Sequence, residues 1–198
     1  ELLFDVHRTA AKVAALLRDF GCDEVVEGVG RTGVVGVIRG RSDRSGRVVG
    51  LRADMDALPI HEQTGAPHAS TVPGRMHACG HDGHTAMLLG AAKYLCETRA
   101  FDGTAVVIFQ PAEEGIYVPG VTSWGAKQMV AEGVMKDVDA IFGLHISAQT
   151  EVGKIGYRSG PAQAAVDNLE IIVHGTQAHG ASPWFGVDPI VTSSQIVS

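Results

Sequence analysis

Apolar residues recur every three or four positions through "LLFDVHRTAAKVAALLRDFG", residues 2–21, and the run closes on Gly21. That spacing predicts an amphipathic helix with a glycine C-cap. Short β-branched runs follow: "EVVEGV" at 24–29, "GVVGVIRG" at 33–40 and "RVVGLRAD" at 47–54. They read as strands, and the last is nearly continuous in apolar residues, as an interior strand is. "HTAMLLGAAKYLCETRA", residues 84–100, has helical periodicity, "GTAVVIFQP" reads as a buried strand, "SWGAKQMVAEGVM" as a helix and "DAIFGLH" as another strand. Strands alternating with helices predict an α/β fold, with a mixed, largely parallel sheet and flanking helices.

The pattern changes after about residue 160. "AVDNLEIIVHG", residues 165–175, alternates like a half-exposed strand, and "GVDPIVTSSQIVS" opens a helix at Asp188-Pro189, an N-cap followed by a first-turn proline. A domain boundary is expected near "SGPAQAA", dividing residues 1–160 from residues 161–198. There are no internal repeats. The first residues lack an initiator Met and a signal-peptide pattern, and the last stop inside a helix-like pattern, so a piece of a longer protein is expected.

Composition narrows the classes. With 45% apolar and 19% charged residues over 198 positions the chain can bury a real core. No apolar run approaches the roughly 18 residues of a membrane span. A net charge of −6 and no Lys/Arg stripe argue against nucleic acid as a partner. Three cysteines, Cys22, Cys79 and Cys96, are an odd count without close spacing; a reducing, cytoplasmic setting suits them better than a disulfide framework.

Polar clusters end three predicted strands: Asp54 and Asp56 in "RADMD", Glu113 and Glu114 in "FQPAEEG", and His145 in "FGLH". A fourth, "HACGHDGH", supplies Cys79, His81, Asp82 and His84 ahead of a helix. Ligands of open α/β sheets bind at the carboxyl edge of the strands. Taken singly, each residue has a plain reading. A strand-end histidine is usually a surface or satisfied core group, a cysteine a small hydrophobe, Asp82 a helix-start acid and a Glu-Glu pair a solvated face. Glu113-Glu114 instead follows an apolar strand and a proline, and adjacent carboxylates raise one pKa unless a cation compensates. Thiol, imidazole and carboxylate donors together suit zinc, or manganese, cobalt or nickel. Cys79 and His81 can lie on one side of an extended segment, and no second close pair exists to make a structural zinc knuckle.

These motifs, "LRADMDALP", "MHACGHDGHTAMLLGAA", "FQPAEEG", "GLH" and "HGTQAHGASPWFGVDPI", closely resemble the aminoacylase and carboxypeptidase family of two-metal peptidases. More narrowly they resemble its amidohydrolase branch: hippurate hydrolases, indole-acetyl-amino-acid hydrolases and N-acyl-amino-acid deacylases. The resemblance implies a zinc-exopeptidase-like catalytic domain with a smaller α/β lid domain inserted into it. It implies two divalent ions per subunit, with Cys79 as a bridging thiolate and His81, Glu114 and His145 as further ligands. Glu113 takes the general-base position, and His179 contacts the substrate or the developing oxyanion, within the chain or across a dimer interface. Asp56 is expected to orient a ligand imidazole from behind; His84 does similar work or simply starts its helix. Relatives with a peptidase-type site carry His-x-Asp where this chain has Asp54-Met55-Asp56, which leaves Asp54 in doubt as a ligand. A histidine near the family's C-terminus, a further ligand, has no counterpart in these 198 residues.

The implied activity is hydrolysis of the amide of a small N-acyl-L-amino acid, hippurate-like, by a homodimer or homotetramer joined through the lid. Alternatives are a dipeptidase or exopeptidase of the wider family, a non-catalytic ligand-binding relative, and a structural-zinc protein.

Overall fold

The computed structural model describes residues 1–115, 120–164, 167 and 169–198. They form two compact units, Glu1–Ile155 and Gly156–Ser198. Among the described residues no helix is long and apolar enough to cross a membrane.

The first unit opens with helix α1, His7–Asp19, which buries Ala10, Val13, Ala14 and Leu17 at the predicted spacing. Its free N-terminal amides are served from outside the helix. The Glu1 carboxylate accepts from the N–H groups of Arg8 (2.9 Å) and Thr9 (2.8 Å). Burial pushes the Glu1 carboxyl up, but these bonds outweigh it and hold the group below its ordinary value. At the other end Gly21 takes φ +84°, and the N–H groups of Gly21 and Cys22 reach back to Arg18 O and Leu17 O, each at 3.0 Å. That pairing is a Schellman closure, which needs a residue free to enter the left-handed region.

Strands β1 (Glu24–Val29), β2 (Gly33–Arg39), β3 (Val48–Asp54), β4 (Thr104–Gln110) and β5 (Ala140–Gly143) form one sheet in the order β1-β2-β4-β3-β5. Pairings β1–β2 and β2–β4 are antiparallel; β3–β4 and β3–β5 are parallel. The sheet is therefore mixed, with its parallel half made of β4, β3 and β5. Those three strands point the same way, so their carboxyl ends share one edge.

Side chains of β2 and β4 alternate between faces as a pleated strand requires. Val34, Ile38, Ala105, Val107 and Phe109 pack with α1 and with helix α2 (His81–Thr98) in the larger core. Val35, Val106 and Ile108 pack on the other face with Met129 of helix α3 (Gly125–Ala131). The result is a three-layer helix–sheet–helix unit. Helix α2 begins at His81, three residues before the predicted start, because its first turn is built on the polar cluster itself.

The second unit contains a 3₁₀ turn, Pro183–Phe185, and helix α4, Pro189–Val197. Asp188 caps α4 through its carboxylate, accepting from Ile190 N–H (2.8 Å) and Val191 N–H (3.3 Å). The strand expected over 165–175 is corrected here: positions 165, 166 and 168 lie outside the described residues, and 169–175 are in no ladder. A strand needs a neighbour for its N–H and C=O groups. Among the described residues of this unit the one bridge joins Thr176 to Val187.

Candidate metal centre

The carboxyl edge of β3, β4 and β5 collects the polar clusters. β3 ends at Asp54, β4 leads into Pro111-Ala112-Glu113-Glu114, and β5 leads through Leu144 into His145. Facing them is the start of α2. Gly80, at φ +102°, turns the chain between Cys79 and His81, a conformation that side chains rarely adopt. A Cβ on Gly83 would lie 2.3 Å from Ile146 Cδ1, so the first turn of α2 packs directly on the residue after His145.

Two histidines are aimed by backbone carbonyls. His81 is fully buried, and its Nδ1–H donates to Asp56 O at 2.8 Å. His145 Nδ1–H donates to Ile146 O at 2.6 Å. In both rings Nε2 is the atom left over. His145 Nε2 lies 3.4 Å from Cys79 Sγ. His81 Nε2 is buried with no hydrogen-bond partner, 3.6 Å from Glu113 Oε2 and 3.8 Å from Glu114 Oε1. Glu114 Oε1 is itself buried without a partner. Buried polar atoms are rarely left unpaired.

Two sets of potential donor atoms therefore share His81: Cys79, His81 and His145, and His81, Glu113 and Glu114, each set within 4.8 Å. Asp54, His81 and His84 form a third set, but Asp54 and His84 are already engaged with other groups. His84 Nδ1 is 2.6 Å from Asp54 Oδ1, and His84 Nε2 accepts Ile146 N–H at 2.8 Å, which fixes the ring proton on Nδ1. Arg52 Nη1 lies 2.7 Å from Asp54 Oδ2. Burial pushes the Asp54 carboxyl up, but Arg52 and the bond from His84 outweigh it and hold the group below its ordinary value.

Asp56, 1% exposed, reaches the other way. Its carboxylate accepts Glu113 N–H at 3.0 Å and Glu114 N–H at 3.2 Å, which ties down the loop that carries both glutamates. Ala112 in that loop has φ +48°, a conformation that costs a non-glycine residue about 1 kcal/mol.

The charges explain the titration. Burial, then the Glu114 and Glu113 carboxylates, push the Cys79 thiol up to about 11. Glu114 is raised by burial, and Asp56 and Glu113 add to the rise. Burial opposes a charged His81, yet the Asp56 hydrogen bond and the surrounding carboxylates outweigh it and raise its pKa. Anionic groups crowded this closely call for a cation. The orphaned His81 Nε2 and Glu114 Oε1, beside the Cys79–His145 contact, fit a divalent ion, and thiolate, imidazole and carboxylate donors suit a transition metal.

His179 is exposed in the second unit, its Nδ1 accepting Ala181 N–H at 3.1 Å. Asp82 is an exposed first-turn acid of α2. Arg52 escaped notice in the sequence. It lies on the same strand face as Asp54, two positions away, and that period-two spacing was the available signal.

Helices on both faces of a mixed sheet, with metal donors gathered at its carboxyl edge, define a metallohydrolase-type α/β domain. Residues 50–196 match the family described as Peptidase family M20/M25/M40, and the chain belongs to that family of metal-dependent hydrolases. It is 47% identical to thermostable carboxypeptidase 1 of Saccharolobus solfataricus, covering 100% of this chain and 49% of that protein. It is 43% identical to N-acetylcysteine deacetylase of Bacillus subtilis (100% and 50%). To IAA-amino acid hydrolase ILR1-like 2 of Arabidopsis thaliana it is 49% identical (84% and 36%). Among solved structures, the Bacillus subtilis YXEP protein, described as a dinuclear metal binding peptidase from the M20 family, superposes with a TM-score of 0.73 at 44% identity. That match covers 81% of this chain and 43% of that one. The chain spans about half the length of the curated relatives that it matches end to end.

Proposed function

We propose that the protein is a metallo-amidohydrolase that cleaves the amide of N-acyl-L-amino acids, hippurate-like compounds among them, to a carboxylic acid and a free amino acid. The observation that carries this is the pair of buried, unpartnered donor atoms, His81 Nε2 and Glu114 Oε1, with the Glu113 carboxylate beside them. Cys79, His81, Glu114 and His145 would hold two divalent ions, zinc or manganese, with cobalt or nickel as substitutes. When bound, such ions polarise the acyl carbonyl and make water a stronger acid.

Glu113 is 39% exposed in its side chain, so water can reach it, while Asp56 fixes its backbone. It takes the proton of the attacking water and returns it to the departing amine nitrogen. Asp56 orients His81 and the glutamate loop together, and His84 ties Asp54 to the chain beside His145. To His179 we assign contact with the substrate as charge develops on the acyl oxygen. Residues 1–160 are assigned to the catalytic domain and residues 161–198 to the lid, with a homodimer or homotetramer joined through the lid in the cytoplasm.

A second reading, a carboxypeptidase or dipeptidase, is favoured by the 47% identity to a thermostable carboxypeptidase. Within the resemblance, Cys79 in place of a bridging carboxylate favours the amidohydrolase. Side-by-side rates of the metal-loaded protein on hippurate-like N-acyl amino acids and on unblocked dipeptides separate the two. Faster turnover of the N-acyl series supports the proposal; a preference for dipeptides replaces it with the second reading.

A further inference from the structure

Away from the metal centre the fold joins two cysteines that the sequence keeps apart. Cys22 Sγ and Cys96 Sγ lie 3.6 Å apart across a separation of 74 residues. Cys22 is half-buried in the turn between α1 and β1, and Cys96 is buried in the last turn of α2. Both pack in the larger core.

The two segments are already clamped together. Arg99 follows α2 in a left-handed conformation, with φ +50°. Its Nη2 donates to Gly21 O at 2.6 Å and its Nη1 to Arg39 O at 2.8 Å, while a further bond reaches the Asp23 carboxylate. Its Nε donates to Cys96 O at 3.2 Å. One guanidinium thus grips the residues on both sides of Cys22 and the backbone of Cys96 itself. The thiols face each other because their backbones are fixed, so little order remains to be imposed by a bond between them.

We propose that Cys22 and Cys96 are a disulfide-forming pair, a modification site closed by exchange with a low-molecular-weight disulfide. Cys22, the more exposed, attacks one sulfur of the incoming disulfide as thiolate, and the first small thiol leaves. Cys96 then attacks the Cys22 sulfur, and the second small thiol leaves. Two protein thiols become one disulfide, and the small disulfide is reduced to two thiols that carry away the two protons. Closure needs roughly 1.5 Å of sulfur movement. Burial, then the neighbouring Cys96, hold the Cys22 thiol up at about 12, against the pull of Arg99, so thiolate is scarce at neutral pH and closure is slow. Cys79 is excluded as a partner: Cys96 lies fifteen helical steps beyond His81, about 22 Å along α2.

The test is to incubate the reduced, folded protein with oxidised glutathione, quench in acid, unfold it and alkylate the remaining thiols. The expected product carries one alkyl group, on Cys79, in place of three. Peptide mapping should find Cys22 linked to Cys96. Thermal unfolding should shift several degrees upward and return on treatment with dithiothreitol, and Cys22→Ser should abolish the shift. Three alkylated thiols after prolonged exposure, a link that includes Cys79, or glutathione retained on Cys22 with no cross-link would each overturn the proposal. The peptide map is read on the unsubstituted protein, so it stands even where Cys22→Ser folds poorly.

Discussion

Replacing His84 by Phe keeps a ring in the same space and removes both nitrogens. Two bonds go with them: the 2.6 Å contact to Asp54 Oδ1 and the 2.8 Å bond from Ile146 N–H. The first involves a carboxylate and is worth about 1.5–3 kcal/mol, the second about 1 kcal/mol. Asp54, only 1% exposed, keeps its ion pair with Arg52 and its 3.6 Å approach to His81 Nε2 but loses its one side-chain hydrogen bond from a ring. The expected loss is about 3 kcal/mol, read from urea unfolding of the metal-free protein with an unchanged m-value. Metal affinity should fall about 10- to 100-fold, because the released Ile146 amide adjoins His145. A pH signature accompanies it. Asp54 is held below its ordinary value, so it contributes stability above about pH 4 that is lost as pH falls through its folded pKa. With His84 gone, one of the groups lowering that pKa is gone, and the variant should lose less stability on acidification than the parent. Removing the exposed Lys93–Glu97 pair, 3.8 Å apart, should change stability by less than about 0.5 kcal/mol and serves as the control. A loss under about 1 kcal/mol with unaltered metal affinity would refute the positioning role of His84.

Two further predictions follow from the same geometry. The Cys79 thiol, raised to about 11, is protonated at neutral pH in the metal-free protein, so thiolate ligation must expel a proton. Metal affinity should rise about tenfold per pH unit for each proton released, and Cys79→Ser should flatten that slope; titration in weak buffer that detects no proton release would contradict thiolate ligation. Gly80→Ala places a side chain at φ +102° and should cost at least about 1 kcal/mol while loosening metal binding, although alanine is otherwise the better helix former. Unchanged stability and metal affinity in that variant would show that the turn between Cys79 and His81 tolerates other conformations.

The elements that local chemistry specifies were legible in the chain. Apolar spacing marked α1, Gly21 its end, Asp188-Pro189 the start of α4, β-branched runs β1, β2 and β3, and short apolar runs β4 and β5. Strand order was not legible, because β4 enters between β2 and β3 through contacts distant in sequence. The same reason hid the chain from Arg52 through Asp54 and His84 to Ile146, and the meeting of Cys22 with Cys96. The stretch 169–175 shows the converse: alternation describes a strand's faces but cannot supply the partner that makes it one. The donor atoms could be nominated from residue type and spacing, whereas the carbonyls that aim His81 and His145 belong to the backbone and leave no trace in side-chain identity.

Glu113 is the group proposed to move the proton, and its role is separable from metal binding. The measurement that reaches it is turnover of a hippurate-like N-acyl amino acid by Glu113→Gln, with metal content determined on the same sample. The expected result is parental metal content with turnover reduced by about 10²- to 10⁴-fold. Parental metal content with near-parental turnover would contradict it.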